Sequence, residues 1–529
     1  MKNTTLLISL LVLCSIVAAQ PYYVATDGND NNPGTKEKPW ATWDKAFETA
    51  TSPGDTTYFR GGVYHTTLQH GEKDGINGTN ERPVCFFNYP GETPVLDCSE
   101  KTKPSGGVTF YNANHVKLKG LTVRNNKQLV DGSANSYGIY FYRSPHVTIE
   151  NCTVHDIGYR GFYFFNVDTL FVINCDAYNV VDSLSAAPGN AGDGFIVSGL
   201  ADSDTTDYTV FKGCRAWHVS DDGWDIHTNG YIELNNCWAF DCGGYEKYAW
   251  GNGYKLDLSV RLPRHMVSRK VVNCIAAYNR GSGFTTNDTK SFPMPMEVFN
   301  NTSAFNGLYG SSGHGFTILN SSGTDEEELR RVFRNNVAYK NTTSDINHTS
   351  SALFTHSHNT WNTSNETLTD DDFISIDTTG ISGPRKADGS LPDLDFMKHH
   401  GEAKIVDRGI NVGLPYHGDA PDIGFHEHPR EDVPEVPQSS YKITKSFPNP
   451  TADLFAIEYT AEKAGTITVN VYDEAEEIQL TENHTARIGK NKIVLNLSAL
   501  PLGNYLVKLG VGSDNTNTKV SKLKYILEE

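Results

Sequence analysis

Short runs of alternating apolar and polar residues recur through the middle of the chain, among them VTIENC, LFVINC, TVFKGC, YIELNNC and KVVNC, with Asn, Asp and Gly at the turns. Such runs predict strands bounded by turns. The long 3.6-period stretches that a helical solenoid needs do not occur. Two anchors recur in phase with the runs. One is a small residue, usually followed by an aromatic: Val123, Val154, Ala177, Ala216, Ala239, Ala277, Ala304 and Ala338. The other is a glycine, mostly followed by an aromatic: Gly138, Gly161, Gly194, Gly223, Gly253, Gly283 and Gly315, at steps of 23, 33, 29, 30, 30 and 32 residues. A repeat of this length and irregularity predicts an all-β fold, a right-handed parallel β-helix in which each coil stacks on the last. Ahead of it, Ala41 to Ala50 reads as a short amphipathic helix with Trp43 and Phe47 on one face, placed to cap the open end of the core.

Cysteine usage follows the same register. Cys152, Cys175, Cys214 and Cys237 each stand two residues before a small anchor, so stacking places them in an inward ladder of free thiols. Free cysteine behaves there as a small buried hydrophobe. No CxxC pair with zinc spacing exists, which argues against a structural zinc. Cys85, Cys98, Cys242 and Cys274 find no place in the pattern.

The glycine anchors turn spacing into proximity. Asp193 and Asp222 stand just before the anchor in successive coils, and Asn252 does so in the next. Asp225 and Lys255 stand two positions after it. Register alone therefore sets Asp193 beside Asp222, with Asp221 at the same turn, and Asp225 beside Lys255. Carboxylates so close repel unless they are protonated or bridged by a cation. Oxygen-only ligands favour a hard ion, and calcium accepts a crowded carboxylate shell more readily than magnesium. A lysine beside such an ion is equipped to abstract a proton from an acidic sugar. The bland alternatives are a solvated Asp-rich turn and a lysine that merely neutralises Asp225.

Composition narrows the classes. The 529 residues carry a formal net charge of −18, which argues against nucleic acid as a partner. An acidic ligand would be drawn only locally, through bound cations and a few basic side chains. Arg264, Arg280 and Lys290 follow Lys255 but read as ordinary solvated charges. Residues 1–19 read as a signal peptide cleaved near Ala19, with an apolar run too short to span a bilayer, and no transmembrane segment follows. PREDVPEVPQSS, at 429–440, is a linker by composition. Beyond it, FAIEY, TITVNVY, KIVLNL, NYLVKL and KLKYIL predict a small β-sandwich. The expected organisation is a signal peptide at 1–19, a β-helix domain at 20–428, a linker at 429–440 and a β-sandwich at 441–529. Asn-x-Ser/Thr triplets such as Asn77 and Asn341 read as Asn-rich turns and stacked asparagines. His356, His358, His399 and His400 read as loop residues without a metal.

Several longer segments add a resemblance. AGDGF (191–195), FKGCRAWHVSDDGWD (211–225) and WGNGYKL (250–256) look like the active-site signature of polysaccharide lyase family 9, the pectin-degrading β-helix enzymes. So do YYVATDGNDNNPGTKEKPWATWDKAF (22–47), PGDTTYFRGGVY (53–64), GPRKADGSLPDLDFM (383–397) and VGLPYHGDAPDIGFHE (412–427), so that the likeness covers about residues 22–427. It implies that Asp193, Asp221, Asp222 and Asp225 bind Ca²⁺ and that Lys255 is the catalytic base. Leu256-Asp257-Leu258 and Ile196-Val197 depart from the family pattern. SFPNPT (446–451), VYDEAEEI (471–478), LNLSALPLGNYLVKL (495–509) and the Lys-rich end resemble the C-terminal sorting domain of the type IX secretion system of Bacteroidetes. The expected protein is a secreted or cell-surface monomer, a calcium-dependent lyase of an acidic plant polysaccharide. Pectate is favoured and rhamnogalacturonan I stays open. A β-helix hydrolase using Asp221 and Asp222 and a non-catalytic polysaccharide-binding protein are the alternatives.

Overall fold

A computed structural model describes residues 20–522 apart from 69–74, 133–134, 200–207, 229, 245–248, 257–267, 287–295, 310, 312, 320–330, 350–353, 363–366, 430–439, 448–453, 474–476, 502 and 513. Residues 1–19, read as a signal peptide, therefore lie outside the described residues. These residues form two compact units, the first closing at His428 and the second holding the C-terminal strands.

The first unit is a parallel β-helix. Its described strands make three parallel sheets of twelve, ten and nine strands, each strand pairing with its counterpart one coil away. The sequence sets the corner between the twelve- and ten-stranded sheets. Asn151, Asn174, Gly213, Asn236, Asn273, Asn300 and Asn335 all adopt a left-handed backbone there, with φ between 52° and 64°. Asparagine and glycine are the residues that enter this region at least cost, hence the recurring Asn-Cys and Gly-Cys pairs.

The residue after each of these corners points inward and forms a ladder. Cys152, Cys175, Cys214, Cys237 and Cys274 are all fully buried free thiols. The column then changes chemistry: the Cys274 N–H donates to Asn301 Oδ1 at 2.9 Å, that of Asn301 to Asn336 Oδ1 at 3.0 Å, and that of Asn336 to Asn359 Oδ1 at 2.9 Å. Cys242 heads a second such column, followed by Asn279, Asn306 and Asn341. The small anchors at 277 and 304 are displaced by one residue from the expected phase. Ala239 pairs with Ala276, and Ala276 with Ser303. Both residues of Ala276-Ala277 are small, and the first takes the inward position. That shift brings Cys274 into line with the other four thiols.

The glycine anchors hold the register as expected. Phe162, Phe195, Trp224, Tyr254, Phe284 and Phe316, which follow them, stack through the core at centroid spacings of 4.7–5.0 Å, the spacing of paired strands. A Cβ on Gly223 would lie 2.7 Å from the Gly253 carbonyl oxygen and 3.0 Å from Ala239 Cβ. Glycine and small anchor thus face each other across a gap that holds the alanine methyl and leaves no room for a second. The capping helix spans Trp43–Thr49, with Thr42 as N-cap and Trp43 and Phe47 buried.

Residues 373–423 return along the outside of the ten-stranded sheet. Phe373, Leu391, Phe396 and Ile405 share a second core with Trp217 and Phe240. The GPRKADG segment is latched through Asp176: Arg215 Nη2 lies 2.8 Å from its Oδ2 and Arg385 Nη2 2.6 Å from its Oδ1. His399 is buried against Asp422, 3.3 Å from Nε2 to Oδ2, rather than on a surface loop, and His356 lies on the strand Phe354–Ser357. The second unit has antiparallel sheets of three and four strands around a core of its own, including Phe455, Ile457, Val469 and Leu509.

Candidate functional site

The site lies on the outer face of the nine-stranded sheet. The Gly194 N–H donates to the Asp222 carbonyl at 3.1 Å and the Gly223 N–H to that of Asn252 at 3.0 Å, so the three coils are in register at the anchor. Trp224 pairs with Tyr254 and Asp225 with Lys255. The residue before the anchor and the residue two after it emerge side by side. As a result, ligand oxygens of Asp193, Asp222 and Asp225 all lie within 4.8 Å of one another. Asp193 is 1% exposed, Asp222 0% and Asp225 8%.

Each carboxylate is fixed from the next coil. Asp193 Oδ1 accepts the Asp222 N–H at 3.1 Å, and Asp222 Oδ1 accepts both the N–H and the side-chain amide of Asn252, at 2.7 and 2.9 Å. Asp225 Oδ1 has His227 Nε2 at 2.7 Å and Lys255 Nζ at 3.1 Å, while Lys255 Nζ lies 3.6 Å from Asp222 Oδ2. Asp222 Oδ2 and Asp225 Oδ1 are buried and met only by these charged groups. Three buried carboxylates converging in this way could hold a cation. Asp221 stands apart from the converging three. Its Oδ1 accepts the N–H groups of Trp250 and Gly251 at 2.8 and 3.3 Å, tying the turn of the next coil.

Electrostatics match the crowding. Burial, reinforced by the neighbouring carboxylates, pushes Asp193 and Asp221 well above the usual range. Burial pushes Asp222 up to about 6 against the opposing pull of Lys255. Burial acts the same way on Asp225, but His227 and Lys255 outweigh it and hold that carboxyl low. Burial alone would depress Lys255; Asp222, Asp225 and Asp193 overcome it and raise its pKa beyond the ordinary lysine value.

His227 is the contact sequence reasoning missed, although it stands two residues from Asp225 on the same strand face. Arg264 and Lys290 fall outside the described residues, as do Asp257 and Leu258. Arg280 Nη1 donates to the Gly243 carbonyl at 3.3 Å. Leu256 is buried in the core, and Ile196 pairs with Asp225 one coil upstream of it.

Comparison with known proteins gives two family matches. Residues 22–312 match the Pel9A-like, right-handed beta helix region, and residues 445–523 match the secretion system C-terminal sorting domain. Pectate lyase L of Dickeya dadantii is 28% identical over 421 residues, covering 77% of this chain and 90% of that protein. The crystal structure of pectate lyase Pel9A superposes with a TM-score of 0.61 at 25% identity, over 78% of this chain and 98% of the other. A rhamnogalacturonan lyase structure gives 0.59 at 26% identity, over 72% and 97%. The chain therefore belongs to the Pel9A-like right-handed β-helix family, with a secretion-system sorting domain at its C-terminal end.

Proposed function

We propose that the protein is a secreted polysaccharide lyase that cleaves galacturonate-containing pectin, pectate foremost, by β-elimination. Asp193, Asp222 and Asp225 would hold a calcium ion, with Asp221 bracing the same turn, and Lys255 would act as the base. One observation carries the reading: a lysine amine 3.1 Å from one member of a buried cluster of three carboxylates. The pectate and rhamnogalacturonan lyases among its relatives support the reaction class, and the sorting domain supports export through the type IX machinery.

The donor set fits calcium, being oxygen-only, anionic and crowded. Bound there, calcium would neutralise a uronate carboxylate and stabilise negative charge at the adjacent carbon. Lys255 Nζ, its side chain 16% exposed, can meet the C5 hydrogen of a sugar laid along the sheet. The C5–H bond breaks and its proton passes to Nζ. The electron pair forms the C4–C5 double bond, and the C4–O bond breaks toward the leaving oxygen, which solvent protonates. His227, on the same strand face with Nε2 2.7 Å from Asp225 Oδ1, helps keep Asp225 ionised beside the lysine.

The test is ultraviolet absorbance of the unsaturated uronate end, followed on polygalacturonate and on rhamnogalacturonan I, with calcium and with a chelator. A calcium-dependent rise lost in Lys255→Ala is expected, and the better polymer names the substrate. New reducing ends without absorbance would instead favour hydrolysis by the aspartates.

A further inference from the structure

We propose that Arg160 and the tyrosines around it form a uronate-binding subsite for the sugar next to the reacting one, on the N-terminal side of the carboxylate cluster. This rests on the lyase reading above and adds to it the residues that seat the substrate.

The repeat supplies the first argument. Arg160 stands just before its anchor, Gly161, and Tyr163 two residues after it. These are the positions held by Asp193 and Ile196 in the next coil, by Asp222 and Asp225 in the one after, and then by Asn252 and Lys255; the pairing runs Tyr163 to Ile196 to Asp225 to Lys255. One coil further upstream, Tyr137 pairs with Arg160 and Tyr140 with Tyr163. The outer face thus carries one continuous strip, with tyrosines and an arginine at one end and carboxylates and a lysine at the other. Neighbouring coils are about 4.8 Å apart, so Arg160 lies one coil from Asp193, at the near edge of the carboxylate cluster that would hold the reacting uronate, and three coils from Lys255.

The second argument is the state of the guanidinium. Its carbon sits 4.6 Å from the Tyr163 ring centroid and 5.0 Å from that of Tyr159. Tyr163 in turn stacks on Tyr140 at 4.7 Å and 8°, and Tyr137 lies 5.4 Å from it. The Nε is buried without a hydrogen-bond partner, and among the described residues Arg160 makes no ion pair. In a chain of net charge −18, a guanidinium packed against rings, with Asp193 one coil away but no carboxylate in ion-pair contact among the described residues, is poised for an anion from outside. The planar fork of arginine matches a carboxylate through two parallel hydrogen bonds. Tyr140, half-buried at the upstream end of the strip, adds ring surface beside the guanidinium against which a pyranose can pack.

A carboxylate on the adjacent sugar is present throughout polygalacturonate, whereas in a polymer alternating uronate with neutral sugar it is not. The full chain and its Arg160→Gln, Arg160→Lys and Tyr140→Ala variants would be compared on both polymers at saturating calcium, alongside calcium titration and thermal melting. Arg160→Gln is expected to raise KM for polygalacturonate about tenfold, as befits a lost charged hydrogen bond. It should change KM less on rhamnogalacturonan I and leave kcat, calcium affinity and melting in place, with Arg160→Lys recovering part of the loss. An unchanged KM, or a loss confined to kcat, overturns the subsite while leaving the lyase reading intact. If Arg160→Gln melts early, Tyr140→Ala carries the same KM test. If the wild-type chain yields no unsaturated product, the lyase reading falls, and calorimetric titration with trigalacturonate decides the subsite separately: binding weakened by Arg160→Gln supports it, and equal or absent binding in both chains overturns it.

Discussion

Lys255 holds its proton too firmly to act as a base while it faces Asp222 and Asp225 alone. A divalent ion among those carboxylates withdraws part of their pull and lowers the lysine pKa. Activity should therefore climb from neutral into alkaline pH as the amine loses its proton, and a flat profile from acid to alkali would count against this base. Lys255→Ala should cut kcat about 10²–10⁴-fold, and Lys255→Arg should not restore it, since a guanidinium has no neutral form to offer. The carboxylates give a second expectation. Asp222 titrates near 6, so calcium must displace protons to bind; its affinity should fall as pH drops below about 6, and calorimetry in buffers of different ionisation heat should register the released protons. That Asp193, Asp222, Asp225 and Lys255 adjoin is legible in the sequence, because each is counted from an anchor glycine. Arg160 occupies the same counted position one coil earlier, but an arginine before a tyrosine-rich strand carries no acidic signature and passes for surface charge. The separation of Asp221 from the converging three could not be read, because it depends on which side of the turn each neighbouring carboxylate leaves.

At the scale of the strand and its corner, the glycine anchors do the positioning. The outward aspartate before Gly223 is aimed by a backbone that lies against Gly253 and Ala239 too closely for any Cβ. Gly223→Ala should destabilise the solenoid by about 1–3 kcal/mol through overpacking, and it should weaken calcium binding as well, because the strand can move only by shifting Asp222 and Asp225. Melting and calcium titration of that variant check both effects. Strand periodicity and the thiol column were legible because alternation runs through the coils and an Asn-Cys or Gly-Cys corner recurs in successive coils from Cys152 to Cys237. The phase slip at Ala276 was not, since two consecutive alanines satisfy the pattern equally and only packing against Gly253 chooses between them. The outer layer at 373–423 was also hidden, because its contacts with Arg215 and Asp176 join segments far apart in sequence that share no repeat.

For the whole molecule, the carboxylate cluster couples calcium to stability. Asp193 and Asp221 are raised in the folded state, so without metal these two groups bind more protons in the native chain than in the unfolded one above the ordinary value of 3.8. The stability they contribute is present in acid and is lost as pH rises through their folded pKa values. A chelator should accordingly lower Tm more at about pH 8 than at about pH 5, where protons take over the cation's task; equal shifts at both would argue that the ion binds elsewhere. His426 works in the opposite sense: burial depresses it to about 3, so its contribution is complete above about 6.5 and fades as the solution is acidified. The thiol column has a consequence for the life of the protein outside the cell. Six reduced cysteines, Cys152, Cys175, Cys214, Cys237, Cys242 and Cys274, are fully closed off in the described solenoid, and none of them can meet an oxidant or a stray disulfide until a coil comes apart. Ageing in air is then paced by the rarest local opening of the helix, which makes slow alkylation of those thiols a clock for how often the closed stack breathes.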